Sequence, residues 1–520
     1  MVSPQTIDEI SNPTRVIQRL YDRDSGSDDS FPSVVTDHFS AIFFKPDDPD
    51  AVNQLPSLDL HYPPESYASG TLVRFSSMIQ DTSSSPELYL AKLGDRKCGG
   101  WGMSSSQVDQ TSDSVEYSDL LELTTMWAVS VPGESPWHAE EASPYVPTSF
   151  PPHVPPRPHK FPIPEIPHIG VQVKIYDNAS AQILRTTDVV TFIGILSSEP
   201  LSSELESSVE VPILHVICHK AAAPDIPHIP EPHNVRRELV DWLSKYALGD
   251  DDLAAEWLLL QLTSRVHSRA ASLLPPSLTI SNFPHPPQPD MLPIISHALS
   301  DLLPQYMVIP LSLELLNTKA FIPESRNEDL HSGYLQLPSG TTTLLTESGV
   351  QKGRVVEKGL INIRAMQEIM NSQTLEYAFP FSNFTFQTDI SVIVLAEGRK
   401  SALFQTSLNV PLQCSTGNIL YRSNDIHDFL PSEKLKSFRA YIASCRTVNG
   451  RVHVSEATSK YIQEDFVDQR RKDKTVTADD LIHLMKMARL LAASSLLDEV
   501  TIEIWEETKA LEAGRKTRLV

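Results

Sequence analysis

Between residues 70 and 221 apolar and polar positions alternate repeatedly, the two-residue period of half-buried β-strands. "GTLVRFSSMIQD" (70–81), "PELYLAKL" (86–93) and "TTMWAVSVPGESPW" (124–137) predict the first strands, and "GVQVKIYD" (170–177), "VVTFIGILS" (189–197) and "VPILHVICH" (211–219) predict more. With Gly194 inside one of them, the set suggests a small barrel or sandwich. Later the period changes. "RRELVDWLSKYAL" (236–248) and "DDLAAEWLLLQLTSRVHSRAAS" (251–272) read as helices. Strand "SLTIS" (277–281), helix "PIISHALSDLL" (293–303), the run "GYLQLPSGTTTLLTES" (333–348), helix "INIRAMQEIMNSQ" (361–373) and strand "TDISVIVLAEG" (388–398) follow. Strands alternating with helices predict a parallel α/β layer.

The last ninety residues predict helices. In "TADDLIHLMKMARLLAAS" (477–494) Leu481, Leu484, Met485, Ala488, Leu491 and Ala492 share one face. Thr477 and Asp480 form a capping box, and Gly514 is the expected stop of the final helix. Residues 1–35, with "YDRDSGSDDSFPS", predict a mobile acidic tail holding a short helix near Arg15–Tyr21. Ten prolines between Pro144 and Pro167 mark a polyproline-type spacer, and "APDIPHIPEPH" (223–233) marks a second linker.

Composition narrows the classes. The chain has 520 residues, enough for two or three domains, and 43 Lys+Arg against 66 Asp+Glu give a net charge of −23. Such a chain repels phosphate backbones, so direct nucleic-acid binding is disfavoured. Cys98, Cys218, Cys414 and Cys445 are far apart, which argues for a reducing compartment. "MVSPQTIDEI" lacks the features of a signal peptide, and no run approaches about 18 apolar residues, so a soluble intracellular protein is expected.

Local chemistry is sparse. "CGGWG" (98–102) reads as a turn rather than a phosphate loop. His215, Cys218 and His219 in "HVICHK" could suggest zinc, but strand parity puts the two histidines on one face and the cysteine on the other. His228 and His233 fall in a proline loop. "DQRRKDK" (468–474) reads as a charged loop between helices before it reads as an import signal.

The order of elements after residue 250 resembles the ATPase core of MCM helicase subunits, an AAA+ class, through "AAEWLLLQL", the strand–loop–helix at 277–303, "AMQEIMNSQTLEYAF" and the C-terminal helices. "LVRFSSMIQD", "WAVSVPGESPWH", "VKIYD", "FIGILS", "LQLPSGTTTLLTESG" and "VIVLAEGR" occur in the order found in the family of MCM complex-binding proteins, which the chain resembles from about residue 70 to its end. That resemblance assigns positions to the nucleotide motifs and shows them altered. The phosphate loop falls on "SNFPHPPQPDM" (281–291), without glycine or lysine, where Pro284, Pro286 and Pro287 each remove an N–H donor. The Walker B pair falls on Thr346 and Glu347, leaving one carboxylate and a neutral hydroxyl that is a poor magnesium anchor. Sensor 1 falls near Glu397 and the sensor 2 arginine near Asp479, both anionic where a γ-phosphate would sit.

The fold expected is therefore α+β and multidomain: a tail over 1–35, a β-rich domain over 36–222 (OB-like barrel or sandwich) with a Pro-rich linker at 143–169, and a linker at 223–235. A degenerate AAA+-like α/β core over 236–425 and a helical lid over 426–520 complete it. The resemblance implies a non-enzymatic nuclear partner of MCM helicase subunits, without cofactor, metal, direct nucleic-acid contact or membrane association. It implies roles in helicase assembly and nuclear supply, release from chromatin and sister chromatid cohesion. The alternatives are a residual ATPase using Glu347 and a single-strand DNA-binding replication factor using the β domain, in which Arg74 and Lys174 are the scattered cations.

Overall fold

A computed structural model describes residues 10–23, 30–93, 97–103, 119–142, 155–200, 210–222, 229, 231–269, 273–289, 291–414, 420–421 and 430–519. The chain is mixed α/β and multidomain. The N-terminal part contains α1 (Pro13–Arg23), α2 (Phe31–Phe43), β1 (Leu72–Asp81), β2 (Glu87–Leu90), β3 (Leu120–Val129), α3 (Pro136–Ala142), β4 (Gly170–Ile175), β5 (Val189–Pro200) and β6 (Glu210–Ala221). β1 pairs antiparallel with β5 and with β3; β5 pairs antiparallel with β6, β6 parallel with β4, and β4 antiparallel with β3. The five strands therefore return on themselves as a closed barrel, and β2 hangs on the outside of β3. Val73, Phe75, Val171, Val173, Phe192, Leu214 and Val216 fill the interior, as the alternation requires.

Sequence parity fails at one point. The β5–β6 register shifts between Ile193 and Gly194, so that Ile193 opposes Cys218 while Gly194 opposes Val216. A β-carbon on Gly194 would lie 2.6 Å from the His215 carbonyl oxygen, which explains glycine at this bulge. The predicted tail is also corrected. Val16, Ile17 and Tyr21 of α1 and Phe31, Val35, Phe39 and Phe43 of α2 are buried against the barrel's outer face, because their spacing of three to four residues makes an apolar stripe. Residues 1–9 and the acidic 24–29 lie outside the described residues.

The C-terminal part runs α4 (Pro232–Ala247), α5 (Asp252–Thr263), β7 (Leu278–Ser281), α6 (Ile294–Leu302), β8 (Tyr306–Ser312), α7 (Leu313–Thr318), β9 (Glu324–Arg326), β10 (Asp329–His331) and β11 (Thr342–Gly349). It continues with α8 (Glu357–Ser372), β12 (Thr374–Phe379), β13 (Ser382–Gln387), β14 (Ser391–Leu395), β15 (Leu408–Pro411), α9 (Ser432–Asn449), α10 (Glu456–Lys472), α11 (Ala478–Ser494) and α12 (Ile502–Thr517). Five strands form one parallel sheet in the order β8-β11-β14-β7-β15. Both faces are covered. Leu344, Ile393, Leu395 and Val410 face α4, α5, α6 and the C-terminal helices, whereas Leu345, Val392 and Val394 face α7, α8 and a second sheet, β10-β9-β12-β13.

The helices after residue 430 share one core with α4–α6, so they do not form a body of their own. Thr477 and Asp480 make the predicted capping box of α11. Gly514, by contrast, is internal to α12, where an added β-carbon would lie 3.5 Å from Leu253, and the helix stops at Thr517. The basic run 468–472 is the end of α10, not a loop. α5 ends at Thr263 rather than continuing to 272. Beyond it Arg265 and the Val266 N–H turn to Asp389, which competes with further helical bonding.

The two parts are packed together by the proline-rich segment. Residues 143–154 lie outside the described residues, but 155–169 are seated rather than strung between domains. Phe161 and His168 are buried, and Lys160 Nζ lies 2.6 Å from both Asp81 of β1 and Asp329 of β10. Gln80 Nε2 donates to Gln336 Oε1 (3.2 Å), and Gln336 Nε2 donates to the Gln80 carbonyl (2.7 Å). Further along the seam Tyr306 N–H donates to the Gly133 carbonyl (2.7 Å), and Arg439 stacks 3.9 Å from the Trp137 ring.

Candidate functional site

In an open parallel sheet the crevice outside the carboxyl ends of the strands is where ligands bind. Here the ends of β7, β14 and β11 lie side by side, so their following residues meet: the loop from Asn282, the turn at Ala396–Gly398, and Thr346–Glu347. The sequence positions Pro284, Pro286, Pro287, Thr346, Glu347 and Glu397 are thus gathered at one place.

The N–H groups of the loop and the two carboxylates there are already engaged within the chain. Asn282, at φ +55°, donates its N–H to the Gly398 carbonyl (3.0 Å), and Phe283 N–H donates to the Ala396 carbonyl (2.9 Å). A phosphate loop would aim those N–H groups at a ligand; here they zip the loop onto the end of β14. Phe283 is buried edge-on against Tyr421, whose hydroxyl donates to the Pro284 carbonyl (3.0 Å). Burial, followed by the Glu397 charge, pushes the Tyr421 phenol up, so it stays protonated as a donor. His285 Nδ1 lies 2.6 Å from Glu397 Oε1, a latch across the mouth of the crevice.

Glu347 is buried and held by a turn: Ser401 Oγ donates to Oε1 (2.6 Å), Ala402 N–H to Oε2 (2.9 Å) and Leu403 N–H to Oε1 (3.2 Å). Both carboxylate oxygens therefore have protein donors, and Thr346 is buried between its partners Pro310 and Leu395. Asp479 is not brought to the crevice by any of its turn's bonds. It is exposed in the first turn of α11, where Thr477 and Asp480 cap the helix and Asp480 faces Lys516 at 3.5 Å. The Ser401 turn, His285 and Tyr421 were not singled out by sequence, since they come from loops distant in the chain and carry no spacing signal.

Of the other sequence candidates, His228 lies outside the described residues, His233 is in the first turn of α4 rather than in a loop, and the rest resolve into packing. The β6 bulge puts His215 and Cys218 on the side of α1 and α2, while His219 turns to Phe192 and Ser180, the reverse of strict parity. His215 sits between the Tyr176 hydroxyl (2.8 Å) and Ser197 Oγ (2.9 Å), and burial, helped by Lys174, pushes its pKa down to about 4. Burial pushes the Cys218 thiol up. No zinc-type set converges there. Arg74 is buried on the outer face of the barrel, opposite Ile193, with Nε directed at the Leu55 carbonyl (3.4 Å), and Lys174 is clamped between Glu87 and Glu199, each at 2.9 Å. Both cations of the barrel reading are engaged by acceptors of the chain itself.

His159, Asp329 and His331 form a cluster with metal-ligand chemistry outside the crevice. Their geometry works against an ion. The ligand atoms lie within 4.8 Å of one another, but the imidazoles are stacked face to face, 4.1 Å apart with planes 25° from parallel, and His159 Nε2 is already 2.7 Å from Asp329 Oδ2. Burial alone would raise Asp329, yet His159, Lys160 and Arg157 hold it well below the usual carboxylate range. The cluster is a joint between the proline-rich segment and β10.

The profile of the family described as Mini-chromosome maintenance replisome factor matches residues 43–151 and 151–519. The chain belongs to the Mini-chromosome maintenance replisome factor family. Relatives of this family similar to the chain are named Mini-chromosome maintenance complex-binding protein. The one from Arabidopsis thaliana is 31% identical over 67% of the chain and 62% of its own length. The Gallus gallus relative is 26% identical over 99% of the chain and 98% of its own length, and the human one 26% identical over 69% and 63%. The match to the family runs through both the barrel and the parallel-sheet half.

Proposed function

We propose that the chain is a non-catalytic protein partner of the MCM replicative helicase, whose C-terminal half is a degenerate AAA+-like body and whose N-terminal half is an OB-like barrel. Numbered in chain order, the five parallel strands run 5-1-4-3-2 across the sheet, which supports the AAA+-like reading. The closed ring in which the third and fifth barrel strands are parallel supports the OB-like one. The observation that carries the non-catalytic reading is the crevice itself. The N–H groups of Asn282 and Phe283, the Glu347 carboxylate and Glu397 are engaged with other parts of the chain, leaving prolines and carboxylates where a tetra-anion would need donors and cations. The names of the relatives supply the partner, MCM subunits. On this reading the chain works in the nucleus, in helicase assembly and supply, release from chromatin and cohesion, by offering helicase-like surfaces to unassembled subunits.

The test is reconstitution. Purified chain mixed with individual MCM subunits co-elutes with at least one in size-exclusion chromatography and takes up no ATP in calorimetry. Micromolar ATP binding with phosphate release that Glu347→Gln abolishes would instead establish a residual ATPase. A salt-steep shift of short oligonucleotides would revive the DNA-binding reading, against which the engaged states of Arg74 and Lys174 stand.

A further inference from the structure

The hairpin β12–β13 stands out from an otherwise well-covered sheet. Phe379 pairs with Ser382, leaving Pro380 and Phe381 as a two-residue turn. Phe381 is 101% exposed and Phe384 is 54% exposed. Phe384 packs edge-on against Phe379 at 5.5 Å, so an apolar pair lies next to the turn that presents Phe381. The base of the hairpin is fixed: Tyr377 is buried, receives the Gln336 amide at 3.1 Å and packs 4.3 Å from Phe386. Pro380 restricts the tip further. A ring this exposed gains nothing from folding, and the hairpin backbone that carries it is already fixed, which lowers the entropic cost of binding. β13 is also the edge strand of its sheet, without lysine or proline along it to discourage pairing.

We propose that Phe381, supported by Phe384, is an anchor that inserts into an apolar pocket of a protein partner, rimmed by basic side chains. This rests on the reading of the chain as a partner of MCM subunits, and it names a contact for that reading. Charge selects the class of partner. From Thr374 to Gln387 there is no lysine or arginine, and the single carboxylate, Glu376, accepts from Asn383 Nδ2 at 2.5 Å. Stacking on single-stranded nucleic acid needs cations to follow the phosphates, and on a chain of net charge −23 this hairpin offers none. A second copy of the chain would bring the same negative charge, whereas a pocket edged by Lys or Arg complements it.

The experiment compares full-length wild type with Phe381→Asp and Phe384→Ser by interferometry on purified, immobilised MCM subunits. Because Phe381 touches solvent only, Phe381→Asp keeps the wild-type circular dichroism and melting temperature. For the subunit that wild type binds, at least tenfold weaker binding by Phe381→Asp and a smaller loss by Phe384→Ser support the anchor. Wild type and Phe381→Asp binding equally well overturns the anchor and leaves the MCM reading standing. Wild type binding no subunit overturns the MCM reading itself. Phe381-dependent binding of a poly-dT oligonucleotide, or a self-association that Phe381→Asp abolishes, overturns the choice of partner.

Discussion

Glu347 separates the two readings of the crevice most sharply, because one makes it a catalyst and the other a strut. Glu347→Gln keeps the shape but replaces one carboxylate oxygen with an amide NH₂. Three donors converge on the native carboxylate, from Ser401 Oγ, Ala402 N and Leu403 N. Oε1 receives two of them, so the best Gln orientation keeps its carbonyl there and turns the NH₂ toward the Ala402 N–H. One buried donor then faces another, and the remaining two bonds lose their charge assistance. Hydrogen bonds to charged groups contribute about 1.5–3 kcal/mol, and an unsatisfied buried group costs about 1–3 kcal/mol. The expected destabilisation is about 2–4 kcal/mol, visible as a lower urea midpoint at unchanged slope. Neither wild type nor variant releases phosphate from ATP. A variant as stable as wild type that loses an ATP hydrolysis present in wild type would refute the strut and restore the catalyst.

Three other outcomes follow from the geometry. Millimolar MgATP leaves the melting temperature unchanged, since a ligand stabilises only in proportion to ln(1 + [L]/Kd); a shift of several degrees would mean the latch of His285 and Glu397 opens to nucleotide. His215 has a folded pKa of about 4 against an ordinary 6.5, so the unfolded chain binds a proton that the folded one refuses. Stability is therefore full above pH 6.5 and falls by about 3 kcal/mol as pH drops to 4; urea titrations at pH 7 and 4.5 read this loss, and His215→Gln flattens it. Lys160→Ala leaves the buried Asp81 carboxylate without its cation, while Asp329 keeps His159 and Arg157, at a cost of about 3–5 kcal/mol; a wild-type urea midpoint would show that the seam does not depend on this pair.

Much of the architecture was legible from local pattern. The β1, β4, β5 and β6 segments, the α8 and α11 helices and the Thr477–Asp480 cap lie where periodicity and capping chemistry put them, because period and caps act within one turn or one pleat. The sequence missed β8, "YMVIPLS" (306–312), whose proline argues against a strand; as the edge of the parallel sheet it tolerates the lost N–H. It also places the helix of α1 in a mobile tail and divides α2 between that tail and the β-rich region, since their apolar residues gain nothing until a barrel face covers them.

Residue identity alone established that the crevice lacks a phosphate loop's glycines and lysine, because a missing N–H or ammonium cannot be supplied by folding. Tertiary structure decided what became of the groups that remain. Only the parallel sheet brings residues 282–285, 347, 397 and 401 to one edge, where N–H donors close on carbonyls and Glu347 is tied into a turn. It likewise decided that Lys160, in a stretch reading as spacer, lies buried between two carboxylates of different domains, since a charge is tolerated inside only where the rest of the chain delivers its partners.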